Sequence, residues 1–255
     1  MKRKLINLLF GLIVVISIAG CKNKGISVLD EQTPTQSIQP EVTEQTAVTN
    51  TYQPEENYVI EAQTYEKDLV KLIYPKIINL SNKTLEEQCN EILESYAMGD
   101  IQNFGTEDTY ELAYEVTTQT KDMISIILRG YINFKQSAHP SVVVYTLNVD
   151  LTKGKIIRLA NVKDVNELAK ILYSKKGYKI CDSDGNEVED EWKSSVWDFL
   201  SQYTEESLAD ELRTYDVDSK EDIGTLGYSY YKDDHLYICM SVPHVMGDVI
   251  IFMME

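Results

Sequence analysis

Three long β-prone stretches that follow one another in the middle of the chain constrain its fold most strongly. In the first, apolar residues alternate with polar ones, as one face of a half-buried strand requires: Tyr110, Leu112, Tyr114 and Val116. Residues 122–134 and 141–151 are nearly continuous runs of β-prone residues, and a turn at Lys153-Gly154 ends the last run. These stretches predict a meandering antiparallel sheet, with Gly130 marking a bulge.

Shorter patterns precede this sheet. Residues 58–65 and 69–78 favour strands, and Pro75 indicates a sheet edge or a strand end. A helix is predicted at about residues 84–97, with Thr84 and Glu87 as a capping box and Gly99 as its end. Its apolar face would consist of Leu85, Cys89, Ile92, Leu93 and Tyr96.

Helices and then strands follow the sheet. Helical spacing predicts helices at about residues 163–176, ended by Gly177, at 190–203, and at 205–213. The second helix would turn one apolar face inward: Trp192, Val196, Phe199, Leu200 and Tyr203. Strands are predicted at 226–232, 235–242 and 248–254. This order indicates an α+β fold, with an antiparallel sheet and helices packed on one face.

The first 20 residues have the three parts of a secretory signal. Lys2, Arg3 and Lys4 are followed by 14 mostly apolar residues, 5–18, which is shorter than the ~20 residues that span a membrane. The segment ends in Ile18-Ala19-Gly20-Cys21, which resembles the bacterial lipobox. We therefore expect cleavage before Cys21 and lipid attachment to its thiol, which would hold the protein on the extracytoplasmic face of the cell membrane. A plain signal anchor is the alternative.

Residues 21–57 predict a flexible linker between this anchor and a domain at 58–255. In residues 22–57, Thr, Gln, Glu and Pro supply 19 of the 36 residues, so the segment has too little apolar surface to offset its ordering entropy. The chain carries a net charge of −17, and removal of residues 1–20, which hold three basic and no acidic residues, leaves −20. This charge favours cationic partners and argues against nucleic acid.

The sequence contains no motif for a metal, a nucleotide or a catalytic nucleophile, so no cofactor and no catalytic residue are predicted. Asp182-Ser183-Asp184-Gly185 resembles part of a calcium loop, but its glycine is at the fourth position and not the sixth, which favours a turn between helices. Cys89, Cys181 and Cys239 are expected to be buried free thiols, with one disulfide as the alternative.

Two loops combine a histidine with a proline. His139 lies in Ser137-Ala138-His139-Pro140, and His244 lies in Pro243-His244-Val245-Met246-Gly247. Each histidine could contact a ligand or respond to pH, or it could hold its loop by a hydrogen bond to the backbone.

These loops are also where the sequence resembles a known family. Ala138-His139-Pro140, then residues 146–155 (TLNVDLTKGK) and Leu159, and later residues 243–248 (PHVMGD) are similar to the domain of unknown function 3298. Val59 through Tyr74-Pro75 and the first helix resemble its usual upstream companion, number 4163. The resemblance divides the domain into a 4163-like part, 58–105, and a 3298-like part, 106–255.

The same pair of regions resembles the extracytoplasmic part of RsiV-type anti-sigma factors, which bind lysozyme, and the non-catalytic N-terminal part of PdaC-type peptidoglycan deacetylases. The sequence lacks the sigma-binding segment, the spanning helix and the deacetylase metal motifs of those proteins. The resemblance therefore implies an envelope module.

Two functions remain open. The first is a binding module for a cell-wall component such as peptidoglycan, or for a cationic protein such as lysozyme, with His139, Asp150 and His244 as candidate ligand contacts. The second is a cell-wall hydrolase that uses these histidines with an acidic neighbour such as Asp150, which requires both histidine loops to meet at one place. A structural role in an envelope complex is a third possibility.

Overall fold

The computed structural model describes residues 58–99, 101–216 and 227–255. The predicted signal peptide 1–20, the lipidation site Cys21 and the linker 21–57 lie outside these residues. In the described part, no helix is long and apolar enough to cross a membrane.

The strands form two sheets. The six-stranded first sheet has the order β1-β2-β3-β4-β5-β6, with strands β1 Val59–Lys67, β2 Val70–Ile78, β3 Thr109–Gln119, β4 Met123–Asn133, β5 Ser141–Asp150 and β6 Lys155–Ile156. The four-stranded second sheet has the order β7-β10-β9-β8, with strands β7 Tyr178–Cys181, β8 Gly227–Lys232, β9 His235–Ser241 and β10 Val249–Met254. Neighbouring strands are antiparallel except β2 and β3, which are parallel.

Each sheet carries its helices on one face, so the α+β class is confirmed. Helix α1 Lys83–Met98 packs on the first sheet through Cys89, Leu93, Tyr96 and Ala97. Helices α2 Leu159–Val162, α3 Val165–Ser174, α4 Asp190–Leu200 and α5 Glu205–Leu212 precede β8 in the chain. The last three pack against Ile250, Phe252 and Met254 of β10.

The opposite faces of the two sheets pack against each other. Alternation along each strand separates the two sides, because neighbouring side chains of a strand point to opposite faces. Ile126 and Leu128 of β4 face α1, whereas Ile127 faces the second sheet and packs with Val144, Cys181, Tyr230, Cys239 and Ile251. The domain is thus a stack of helix, sheet, sheet and helices, where the sequence had predicted one sheet.

The edge strand β8 joins the sheets through polar groups. Five polar side chains are buried in the part of the chain that the structure describes, and all belong to one hydrogen-bonded network. Thr146 Oγ1 and Asn148 Nδ2 of β5 donate to the Ser229 carbonyl at 2.5 and 2.9 Å. Ser125 Oγ of β4 donates to Asn148 Oδ1 at 2.7 Å. Asp216 accepts the Ser229 N–H at 2.7 Å and the Ser229 hydroxyl at 2.5 Å.

Two residues further along β8 the pattern is repeated. The Tyr231 N–H donates to Ser125 Oγ at 2.9 Å, and Thr118 Oγ1 of β3 donates to the Tyr231 carbonyl at 2.8 Å. The backbone groups on the side of β8 that faces away from β9 therefore bond to side chains, where a further strand would otherwise be needed.

Several local predictions need correction. The side chain of Asn82 caps α1 by accepting the N–H groups of Thr84 and Leu85, so the predicted capping box of Thr84 and Glu87 is wrong. Lys175, with φ 62°, is the C-cap of α3 in place of Gly177. Trp192 was expected to face the core but is 43% exposed.

The predicted bulge at Gly130 is also wrong, because the pairing of β3 with β4 shifts between Val116 and Thr118. Gly130 instead allows a close approach of the two strands. A Cβ atom at this position would lie 1.8 Å from the Glu111 carbonyl oxygen.

Cys89, Cys181 and Cys239, the cysteines in the described residues, are free and buried as expected. Cys181 and Cys239 pair with Ile251 from opposite sides of β10. Two strand spacings, roughly 10 Å, therefore separate them, which is beyond the reach of a disulfide, whose Cα atoms lie within ~7 Å.

Replacement of Asp216 by Ala should destabilise the domain. The buried N–H groups of Ser229 and Leu159 would lose their acceptor, and each unsatisfied buried group costs about 1–3 kcal/mol. Urea unfolding of wild type and Asp216→Ala measures this loss in the free energy of unfolding. Both proteins are compared at one low pH, where the Asp216 carboxyl is protonated in the folded and in the unfolded chain.

The loss should also depend on pH. Burial raises the pKa of Asp216 to about 7, above that of the unfolded chain, which is about 4. The folded state therefore holds a proton that the unfolded chain releases, and this stabilisation is complete below pH ~4 and is lost as the pH rises through 7. The difference in free energy of unfolding between wild type and Asp216→Ala should shrink over this interval. A difference that grows with pH would show that the buried carboxyl is ionised.

Candidate functional site

The two histidine loops meet, although 105 residues separate His139 from His244 in the sequence. The two imidazole rings stack, with their centroids 5.8 Å apart and an interplanar angle of 12°. His139 lies in the connection from β4 to β5 of the first sheet, and His244 lies in the connection from β9 to β10 of the second. We call this region, residues 137–142 together with 243–248, the histidine end.

The loop that carries His244 is a single 3-10 turn. The Met246 N–H donates to the Pro243 carbonyl at 2.7 Å, and the Gly247 N–H donates to the His244 carbonyl at 2.9 Å. Gly247 has φ 90°, a conformation that residues with a side chain rarely adopt. The following residue, Asp248, is also left-handed, with φ 68°. This backbone turns the carboxylate of Asp248 back towards His244.

Asp248 connects the two loops. Its Oδ1 lies 3.0 Å from His244 Nδ1, and its Oδ2 accepts the Val142 N–H of β5 at 2.8 Å. Because an ionised carboxylate can only accept, Nδ1 of His244 carries the proton of this hydrogen bond. In a neutral imidazole of this tautomer, Nε2 is the acceptor. Asp248 is thus a candidate site residue that the sequence prediction missed, and its signal was the four-residue spacing from His244 across a glycine.

Apolar side chains are also exposed within the histidine end and next to it. Val245 at the tip of the 3-10 turn is 86% exposed. Tyr131 and Val142 are paired neighbours on β4 and β5, and they are 37% and 36% exposed. Imidazole rings beside exposed apolar groups form a surface suited to contact with a partner.

Asp150 lies far from this surface. It ends β5, whereas the loop of His139 leads into the beginning of the same strand. Its carboxylate caps the following turn by accepting from the Thr152 N–H, the Thr152 hydroxyl and Lys153 Nζ. Although partial burial opposes ionisation, the hydrogen bonds from Lys153 and Thr152 lower the pKa of Asp150. The structure therefore brings His139 and His244 together and places Asp150 in a turn.

An acidic stretch begins near the histidine end. Residues 182–211 contain eleven acidic residues and one basic residue, Lys193. The stretch starts with the Asp182–Gly185 turn, which follows β7 and is fixed to β4 because Arg129 Nε donates to the Ser183 carbonyl at 2.8 Å. In this turn Asp182 Oδ1 accepts the N–H groups of Asp184 and Asn186. It is a turn that leaves a strand and does not connect two helices.

The histidine end can offer a partner hydrogen bonds from its imidazoles and contact with their rings. His244 side-chain exposure is 55%, so the imidazole is open to a large partner. Among the residues that the structure describes, no group of three or more His, Cys, Asp or Glu side chains is arranged to hold a metal ion.

The sequence matches no known family model and no curated protein. Two solved structures of DUF3298 family proteins are similar to the chain. One, from Bacteroides fragilis, is 12% identical, with 79% of this chain and 90% of that one covered and a TM-score of 0.43. The other, from Pseudomonas aeruginosa, is 16% identical, with 46% and 65% covered and a TM-score of 0.29. These structural neighbours belong to the family that the sequence resembles, and the 4163-like part remains a prediction.

Replacement of Asp248 by Ala should release the His244 loop from β5. The Val142 N–H would lose a charged acceptor, and such a bond contributes about 1.5–3 kcal/mol. Amide hydrogen exchange at Val142 should therefore accelerate about tenfold or more, and nuclear Overhauser contacts between the two imidazole rings should weaken. Asp150→Ala is the matched control, because its carboxylate serves the turn at the other end of the same strand. Equal exchange at Val142 in all three proteins would contradict this role for Asp248.

Proposed function

We propose that this chain is a binding module of the bacterial cell envelope, and that the histidine end is its contact surface. The observation that carries the proposal is the convergence of His139 and His244 from two sheets onto one exposed surface. A stack formed by residues so distant in sequence requires both loops to be held in place. The Asp248 carboxylate holds them, through His244 on one side and Val142 on the other.

The form of this surface favours binding over catalysis. Val245 follows His244 in the chain, and Val142, which is bonded to Asp248, pairs with Tyr131; all three expose apolar area. Apolar groups framed by polar ones are typical of a protein contact. A hydrolytic site would instead hold its reacting groups in a cleft, with donors placed to stabilise the charge that develops in the transition state.

The partner we propose is a cell-wall component such as peptidoglycan or a cationic protein such as lysozyme. The net charge of −17, and the acidic residues of 182–211 in particular, would attract a basic protein over a distance. Long-range attraction of this kind raises the association rate and is weakened by salt.

The proposed location is the extracytoplasmic face of the cell membrane. Lipid on Cys21 would supply the anchor, and residues 22–57 would act as a flexible tether with a reach of roughly 30–36 Å. Such a tether would let the domain meet partners in the wall while it remains attached to the membrane.

One observation favours a second candidate, a cell-wall hydrolase. The carboxylate of Asp248 orients His244 through Nδ1, which leaves Nε2 free to accept a proton from water or a hydroxyl group. In this version Asp248 takes the part that the sequence had suggested for Asp150.

The binding proposal predicts retention of a ligand that depends on His139 and His244. The protein without residues 1–20, with Cys21→Ser to prevent lipidation, should retain lysozyme or insoluble peptidoglycan in a pull-down. Retention of lysozyme should be stronger at low salt than at moderate salt. The double variant His139→Ala/His244→Ala should lose retention. His235→Ala, which removes an exposed histidine on β9, is the control and should behave as wild type.

Failure of the wild type to retain either ligand at low salt would contradict the binding proposal. Release of soluble fragments from peptidoglycan, lost in His244→Ala but kept in His235→Ala, would instead establish the hydrolase.

A further inference from the structure

A cleft of about 430 Å³ lies beside the loop that carries His139. One wall comes from the segment before β3 and the other from the start of the β4–β5 connection. The lining residues are Gly105, Thr106, Glu107, Asp108, Phe134, Lys135 and Gln136. The volume falls within the range of roughly 300–1,000 Å³ that small-molecule sites occupy.

An anchored aromatic ring forms the apolar part of this cleft. Phe134 is 41% exposed, and its ring stacks on Phe104 with centroids 5.2 Å apart. Phe104 in turn stacks on Tyr110 at 4.9 Å, and Tyr110 belongs to the core beneath the first sheet. The three stacked rings therefore connect an exposed ring to the core, and the orientation of Phe134 is set before any ligand arrives.

Asp108 holds the two walls together. Its Oδ2 accepts the Gly105 N–H and its Oδ1 accepts the Lys135 N–H, both at 2.8 Å. These hydrogen bonds, that of Lys135 first, lower the pKa of the Asp108 carboxyl, which stays ionised and committed to the backbone. The cleft is thus a shaped site, and Asp108 serves its frame.

The polar groups left for a ligand are mixed in character. Glu107 and Lys135 form an ion pair across the cleft, and the ionised Asp108 leaves the lining with one net negative charge. Thr106 and Gln136 add a hydroxyl and an amide, both exposed, and each of these can donate and accept.

We propose that this cleft binds a saccharide. A sugar ring has an apolar C–H face that suits the electron-rich face of Phe134, and it has hydroxyl groups at its edge that both donate and accept hydrogen bonds. The rim of Thr106, Gln136 and the Glu107–Lys135 pair offers both kinds of partner around the ring. The pairing of Lys135 with Glu107 and the ionised Asp108 disfavour strongly anionic small molecules, whereas a neutral sugar ring is compatible with both.

This inference deepens the proposed function and rests on it. Phe134 and His139 belong to one connection of seven residues between β4 and β5, so a wall glycan in the cleft would extend along the histidine end. The residues that line the cleft indicate the class of ligand, a neutral sugar ring. The stacked histidines alone do not indicate a class of ligand.

The test is a titration of the protein without residues 1–20, carrying Cys21→Ser, with the N-acetylglucosamine trimer, followed by NMR. Saturable shifts at the amides of Gly105, Lys135 and Gln136 are expected. Phe134→Ala should weaken binding by about tenfold or more because the stacking surface is lost. Trp192→Ala removes an aromatic side chain of equal exposure, 43% against 41%, from α4 and should bind as wild type. Gln136→Ala removes an exposed amide at the rim of the cleft and should also weaken binding of the trimer. This second variant leaves the stack of Phe134, Phe104 and Tyr110 intact.

Absence of saturable shifts in the wild type, or equal affinity in wild type, Phe134→Ala and Gln136→Ala, would overturn the saccharide site. Retention of lysozyme that is lost in His139→Ala/His244→Ala would leave the proposed function standing in that case. Sugar binding without retention of lysozyme or peptidoglycan would support the cleft and remove the histidine end as the contact surface.

Discussion

The free edge of β8 is the constraint on which the rest of the structure depends. An edge strand that is covered by protein must find partners for its backbone groups, because a buried unpaired N–H or carbonyl is costly. Here the partners are side chains of the first sheet and Asp216. Because hydrogen bonds have narrow limits of distance and angle, this contact fixes the position of one sheet on the other more closely than apolar packing would.

The histidine end is a product of that fixed position. His139 belongs to the first sheet and His244 to the second, so the two rings can meet only when the sheets are aligned. The Asp248–Val142 hydrogen bond is a further link between the sheets at this end, while the buried network of Ser229 lies along the middle of β5. The candidate contact surface and the hydrogen-bonded network around Ser229 thus both depend on the packing of the second sheet against the first.

Much of the local structure could be predicted from the sequence. The long strands β3, β4 and β5 and the helix α1 each show a repeat of apolar residues within their own segment, so each could be recognised without knowledge of the rest of the chain. The four-residue strand β7 was missed because Tyr-Lys-Ile-Cys is too short to show a period. Asn82 took the capping role from Thr84 because the helix begins at Lys83. The division into two sheets depends on pairings between distant segments, which no local pattern encodes.

The candidate site was predicted in part for the same reason. The composition of the two loops singled out His139 and His244, but their contact is a property of the tertiary structure. Asp150 was chosen by proximity within a motif, and its carboxylate serves the turn of Thr152 and Lys153.

The side-chain hydrogen bonds to β8 also imply an order of folding. Those that come from the first sheet span 81 to 113 residues of sequence, and contacts of such separation form late because a long loop must close first. In a growing chain the inward-facing polar groups of β4 and β5 therefore stay hydrated until residues 227–255 arrive, and the docking of the second sheet is what seals this interior.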